Sequence, residues 1–138
     1  MPMNTDRFLF VNLPVQDVKR SMEFFTRLGF EFNMQFTNEQ AACLIVNGTA
    51  NVMLLGRPYF QTFTRKQLCD SSTHVEALFA FSCRSRAEVD ELVERALGIG
   101  GTPAFELQDH GFMYMRSFCD PDGHHWEVMW MDPKAMAS

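Results

Sequence analysis

The order of predicted elements in the first half of the chain recurs in its second half. Alternating apolar residues predict the strands, and apolar residues at helical spacing behind a capping residue, Asp17 or Ser85, predict one helix in each half. The first half is predicted as a strand, a helix and three strands, at residues 8–15, 17–28, 30–36, 41–46 and 51–55. The second half repeats this order at residues 74–82, 86–97, 102–107, 112–118 and 124–130. A repeat spaced by about 70 residues predicts two βαβββ modules.

Each predicted module has a sheet that its single helix covers on one face only. Pairing the two modules closes a curved eight-stranded sheet around a cleft, so the predicted fold class is α+β. The expected organisation is one domain over residues 1–138, with modules at 7–56 and 74–131 and a linker at 57–73. The uncovered faces line the cleft, and ligand sites favour such concave junctions. The pattern leaves open whether the modules pair within one chain or across two.

The charge and hydropathy of the chain argue against several classes of partner. The formal net charge is −5, so the chain lacks the basic surface that nucleic acids or anionic membranes attract. No apolar run approaches the roughly 20 residues of a membrane span. The first residues lack the charged start and apolar core of a signal peptide. We therefore expect no nucleic-acid and no membrane partner.

The cysteines favour a reducing compartment. The four cysteines are scattered without a CxxC pair, which is typical of reduced thiols in a cytoplasmic protein and not of a disulfide framework or a zinc site. Fourteen Phe and ten Met are many for 138 residues. They indicate an interior or cleft walled by large, adaptable apolar side chains.

The last predicted strand carries the most informative carboxylate, that of Glu127. The strand follows the turn formed by residues 120–123, and its apolar face carries Trp126, Val128 and Trp130. Glu127 lies on the opposite face with His125 and Met129. There Glu127 is either a pocket carboxylate, a solvated surface residue, or the ion-pair partner of Arg116 on the preceding strand.

Three stretches of the sequence carry a resemblance to a known family. They are Leu13-Pro14-Val15-Gln16-Asp17, Phe24-Phe25 with Leu28-Gly29-Phe30, and Asp120-Pro121-Asp122-Gly123 followed by His124-His125-Trp126-Glu127-Val128. With them the chain resembles the vicinal oxygen chelate superfamily, which contains glyoxalase I, bleomycin-resistance proteins and extradiol dioxygenases. The resemblance covers almost the whole chain and implies the paired βαβββ fold. It also implies a homodimer, since members commonly dimerise.

The resemblance also implies where a divalent metal would be held. Carried over position by position, the four ligand sites fall on Phe10, Met53, Leu78 and Glu127, and only Glu127 is a ligand type. A hard divalent ion needs several oxygen or nitrogen donors. The metal-free binding proteins of the superfamily are therefore the closer analogue, and no cofactor is expected.

Two alternatives remain open on the sequence. A lactoylglutathione-lyase-like or dioxygenase-like enzyme would rebuild a divalent metal site from Glu127, His125, His110 and Glu76. A non-catalytic interaction protein would have a cleft filled by its own Phe and Met side chains.

The expected partner is a small, partly apolar molecule bound in the cleft. Glu127 facing an apolar cleft would act as general acid or base. Arg116 would anchor an acidic group of the ligand and Asn12 would orient it, while alternation does not decide whether Tyr114 faces cleft or core. The predicted ligand-binding residues are Phe10, Asn12, Met53, Leu78, Tyr114, Arg116, His125 and Met129.

Overall fold

The computed structural model describes residues 6–136, which form two compact units with their boundary between Leu68 and Cys69. Each unit has one mixed sheet and one long helix, so the predicted α+β class is confirmed. No helix within this described stretch is both long and apolar enough to cross a membrane.

Residues 6–68, the described part of the first unit, contain four strands, two α-helices and one 3₁₀ turn. In chain order these are β1 (Leu9–Val15), α1 (Val18–Leu28), β2 (Glu31–Phe32), the 3₁₀ turn (Met34–Phe36), β3 (Ala41–Ile45), β4 (Ala50–Gly56) and α2 (Arg57–Gln61). The strand order is β1-β4-β3-β2, in which only β1 and β4 are parallel neighbours. Pro14 lies in β1, which is the edge strand of this sheet, and proline is tolerated at an edge because its missing N–H can face away from the neighbouring strand.

Helix α1 begins and ends at the residues that the sequence predicts. The Asp17 side chain accepts a hydrogen bond from the Arg20 N–H at 3.1 Å, and Gly29 ends the helix with a φ of 113°. Only glycine adopts this left-handed conformation readily. The helix buries Phe24, Phe25 and Leu28 and packs against β3 and β4.

The two faces of the first sheet have different surroundings. Leu13, Leu44 and Leu54 point towards α1 and are buried. We call the opposite side the far face of the first sheet. It carries Phe10 and Asn12, which are both exposed.

The second unit repeats the pattern, with five strands and two helices among residues 69–136. They are β5 (Leu78–Ser82), α3 (Arg86–Gly98), β6 (Thr102–Pro103), β7 (Gln108–Asp109), β8 (Met113–Cys119), β9 (His125–Met131) and α4 (Pro133–Met136). The strand order is β5-β9-β8-β6, with β7 also pairing with β8. As in the first unit, the first and last strands of the module are parallel neighbours, so the predicted internal repeat is present in the structure.

The turn before β9 is organised around a buried carboxylate. Asp120 is 3% exposed, and one of its oxygens accepts the N–H groups of Asp122 and His124 at 2.9 and 3.0 Å. The other oxygen accepts the indole Nε1–H of Trp126 at 3.0 Å. Burial raises the pKa of Asp120, while the charge of His124 and the bond from Trp126 act in the opposite direction. The turn thereby fixes the start of the strand that carries Glu127.

Three predicted strands are shorter than expected. The strand at 30–36 stops at Phe32, because the Asn33 side chain accepts the Gln35 N–H at 3.0 Å and starts the 3₁₀ turn. The strand at 74–82 begins only at Leu78, since the carbonyl of Asp70 accepts the N–H groups of two following residues in a turn. The strand at 102–107 ends at Pro103, and the short strand β7, which the sequence does not predict, pairs with β8 at residues 108–109.

Candidate functional site

The far face of the first sheet carries a pocket of about 400 Å³. Its floor is a row of residues paired across three strands: Asn51 on β4 lies between Phe10 on β1 and Ile45 on β3. The remaining lining residues come from the segments that flank these strands, and they are Phe8, Asn33, Phe36, Asn47 and Gly48. The size and the mixture of aromatic and amide groups are typical of a small-molecule site.

The next row of the far face holds two more of the predicted residues. Asn12 pairs with Met53, which in turn pairs with Cys43. The Asn12 side chain donates to the Phe10 carbonyl at 3.2 Å, so part of its hydrogen-bonding capacity is used within its own strand. Phe10, Asn12 and Met53 therefore share one face of the sheet, as the sequence predicts, but only Phe10 lines the pocket.

The second sheet presents Glu127 on its own far face, away from α3. Glu127 lies between Ala80 on β5 and Ser117 on β8, and His125 lies between Leu78 and Cys119. The His125 and Glu127 side chains are 18% and 17% exposed, and His125 Nε2 is 3.6 Å from Glu127 Oε2. That nitrogen is buried without a hydrogen-bond partner among the described residues. The predicted alternation of β9 is confirmed, with Trp126 and Val128 buried on the α3 side.

Methionines continue this far face beyond Glu127. Met129 pairs with Met115, and Met131 pairs with Met113, so two cross-strand methionine pairs follow the row of Glu127. All four are half-buried. Unbranched thioether side chains adapt to irregular shapes, so this part of the face is soft and apolar. The predicted residues Leu78, His125 and Met129 lie on the same face as Glu127.

Tyr114 and Arg116 lie on the opposite side of the second sheet, against α3. The Tyr114 hydroxyl donates to Asp90 at 2.6 Å, and the Arg116 guanidinium bonds both Asp90 and Glu94. The expected pairing of Arg116 with Glu127 is wrong, because Arg116 is opposite Val128 in the ladder and points to the other side of the sheet. The two carboxylates raise the pKa of Arg116 against the opposing effect of burial. Tyr114 and Arg116 thus anchor α3 to β8.

The donor groups of the described residues do not fit a resident divalent ion. Within residues 6–136 no group of three or more His, Cys, Asp and Glu side chains is arranged to hold a metal. On the far face Glu127 lies beside the imidazole of His125, and these two side chains form no group of three with another His, Cys, Asp or Glu among residues 6–136. His110 lies on the exposed turn after β7, and Glu76 lies outside any strand. A divalent ion needs more donors than these positions bring together within the second unit.

The four thiols differ in accessibility, which predicts an order of chemical reactivity. Cys69 is exposed, whereas burial raises the pKa of Cys43 and Cys119, and burial together with Glu88 raises that of Cys83 to about 11. At pH 8 only about 0.1% of a thiol with such a pKa is thiolate. We expect iodoacetamide to label the exposed Cys69 first and Cys83 at least about tenfold more slowly, because the thiolate is the nucleophile in this reaction. Peptide mass spectrometry measures the order, and unfolding in urea should remove it.

The chain matches other proteins mainly through its fold. Hypothetical protein SA1046 from S. aureus matches with 27% identity and a TM-score of 0.77, over 94% of this chain and 95% of that one. A glyoxalase-related enzyme from Fulvimarina pelagi matches with 20% identity and a TM-score of 0.76, over 91% of this chain and 88% of that one. A glyoxalase/bleomycin resistance protein/dioxygenase family enzyme from Burkholderia phytofirmans PsJN matches with 16% identity and a TM-score of 0.73, over 88% of this chain and 96% of that one.

No curated protein sequence matches the chain. The family model of the Glyoxalase/Bleomycin resistance protein/Dioxygenase superfamily matches residues 7–128, which is most of the sequence and reaches from the start of the first module into β9 of the second. The order of elements, the repeat and this match agree, and the chain belongs to that superfamily.

Proposed function

We propose that this protein binds a small, partly apolar molecule without a resident metal. The observation that carries the proposal is the pocket on the far face of the first sheet. Its aromatic side chains offer apolar contact area, and its asparagines offer hydrogen bonds that orient a ligand. Phe10 is 45% exposed, so its ring is available for contact with a ligand.

A catalytic role for Glu127 is the second candidate function. It rests on the His125–Glu127 pair, which places a buried imidazole nitrogen within 3.6 Å of a carboxylate oxygen on one face of the second sheet. Such a pair can pass a proton to or from a bound molecule. This role requires no metal. A metal-dependent lyase or dioxygenase of the same superfamily would need further metal-ligating side chains beside Glu127.

Replacing Phe10 with alanine should weaken binding of a neutral apolar probe to the pocket. N-phenyl-1-naphthylamine fluoresces when it enters an apolar site, and its titration gives a Kd. Loss of the Phe10 ring removes part of the apolar contact, and we expect the Kd to rise about tenfold. The ring is half in solvent and stacks beside Phe8, with ring centroids 6.5 Å apart, so the variant should still fold.

A matched control uses another exposed phenylalanine of the same unit. Phe63 is 67% exposed, contacts Tyr59 and does not line the pocket, so Phe63→Ala should leave the Kd within about twofold. Equal effects of the two variants would contradict the pocket assignment. The titration is repeated after dialysis against a chelator, and loss of binding there would favour the metal-dependent alternative.

A further inference from the structure

We propose, resting on the function just proposed, that the ligand is an uncharged aromatic molecule that presents hydrogen-bond acceptors, such as carbonyl or ether oxygens, to the pocket of the first unit. The proposal depends on three properties of the lining residues. These are the amide nitrogens that they leave free, the absence of charge among them, and their aromatic rings.

The asparagines of the pocket have their oxygens engaged. Asn33 Oδ1 accepts the Gln35 N–H at 3.0 Å, and Asn47 Oδ1 accepts the N–H groups of Thr49 and Ala50 at 3.0 and 2.9 Å. Because a backbone N–H can only donate, these bonds fix which end of each amide is the oxygen. The NH₂ groups of Asn33 and Asn47 have no acceptor within the described part of the chain, so both residues offer donors.

Asn51 is the central polar residue of the pocket. It is 8% exposed and lies in the row between the side chains of Phe10 and Ile45. Its Oδ1 faces the Cys43 thiol, a weak donor at 3.9 Å, and its NH₂ bonds none of residues 6–136. The NH₂ group of this mostly buried side chain therefore stays open to the pocket, where a ligand oxygen placed against it would accept a hydrogen bond in a partly dehydrated setting.

The side chains that line the pocket carry no ionic charge, while the carboxylate residue Glu31 follows Ile45 along the same row of the sheet. None of the eight described residues that line it is acidic, basic or a histidine. A carboxylate or ammonium group entering an apolar pocket loses hydration that no counter-ion among these eight residues replaces, and Glu31 beside them would also repel a carboxylate. The lining therefore discriminates against charged ligands, although an anion would meet the same amide donors.

The apolar part of the lining favours a flat ring system. Phe8 and Phe10 stack with an interplanar angle of 29°, and Phe36 and Ile45 add apolar surface. Aromatic rings pack on such surfaces in offset-stacked or edge-to-face geometry. A planar bicyclic molecule with an oxygen at its edge would use both the rings and the amide donors.

Coumarin, naphthalene and coumarin-3-carboxylate test this proposal as probes of related size. Coumarin is neutral with acceptor oxygens, naphthalene lacks acceptors, and coumarin-3-carboxylate adds a negative charge. We expect Asn51→Leu to weaken coumarin binding about fivefold and naphthalene binding less than twofold, since one neutral hydrogen bond is lost. Comparing each probe between wild type and variant cancels the different hydration of the probes. Ligand-observed NMR titration gives each Kd.

Two further variants make the test specific. Asn51→Asp is nearly isosteric but replaces the amide donor by a charged acceptor. It should weaken coumarin binding at least as much as Asn51→Leu does, and it serves as the test if the leucine variant folds poorly. Gln67→Leu removes an exposed amide that does not line the pocket, and it should change no Kd by more than about twofold. The wild type should bind coumarin-3-carboxylate at least about tenfold more weakly than coumarin.

The outcomes separate this proposal from the one on which it rests. If neither coumarin nor naphthalene binds, and N-phenyl-1-naphthylamine also fails, the proposed binding function itself is wrong. If naphthalene binds and Asn51→Leu affects both neutral probes equally, the pocket binds apolar molecules but the acceptor preference is wrong. Tighter binding of coumarin-3-carboxylate than of coumarin would overturn the preference for an uncharged ligand.

Discussion

Replacing Asp120 with alanine is expected to lower the free energy of unfolding of the second unit by about 3–5 kcal/mol. The carboxylate accepts the backbone N–H groups of Asp122 and His124 and the indole N–H of Trp126. Trp126 and His124 are buried, so the variant leaves donors without acceptors in a dry environment. Urea denaturation followed by tryptophan fluorescence measures the change. The expected loss is large compared with the total free energy of unfolding of a typical domain, about 5–15 kcal/mol.

Asp132→Ala is the matched control for this experiment. The Asp132 side chain accepts the N–H of Lys134 at 3.0 Å, at the start of α4, and is more exposed than that of Asp120. Removing one terminal cap should cost about 1 kcal/mol or less. If the two variants lose similar stability, the three bonds to Asp120 do not stabilise the turn as argued here.

Replacing Gly123 with alanine should destabilise the same turn by at least about 2 kcal/mol, through two separate effects. The glycine has a φ of 86°, which costs any residue with a Cβ atom. A Cβ built there would also lie 2.4 Å from the Ser71 carbonyl oxygen, which is backbone and cannot turn away. Ser71 is held in place because its hydroxyl donates to the Asp122 carbonyl at 2.6 Å. Chemical denaturation of the variant measures the loss.

Gly111→Ala separates the two effects at Gly123. Gly111 has a similar φ of 81°, but nothing lies within 4 Å of the position that its Cβ would take. It should therefore show only the conformational cost, about 1–2 kcal/mol. A loss in Gly123→Ala no larger than that in Gly111→Ala would mean that the Ser71 segment moves aside without cost.

Elements with local signals could be predicted from the sequence, and elements that depend on a partner strand could not. Asp17, Gly29 and Ser85 mark helix ends through bonds to their own neighbours, and these bounds are confirmed within a residue or two. Residues 74–77 alternate as a strand would, but they lie in the segment after the Asp70 turn and pair with no strand. Alternation predicts which residues share a face, and pairing decides whether a strand forms.

The candidate site shows the same division. Glu127 could be assigned to the far face because Trp126 and Val128 identify the buried face of their own strand. The side of Arg116 could not be predicted, because it depends on the register between β8 and β9. The position of Asn51 in the pocket could not be predicted, because its neighbours in the row, Phe10 and Ile45, are distant in sequence and come together only when three strands align.

The paired methionines of the second sheet make that surface chemically changeable. Met115 with Met129 and Met113 with Met131 lie beside the row of Glu127, and each is half-buried. Oxidation to the sulfoxide would place a polar oxygen on each side chain and stiffen a contact surface that is otherwise adaptable. Peroxide would thus make this face more polar while Glu127 itself stayed intact, and enzymatic reduction of the sulfoxides would restore the original surface.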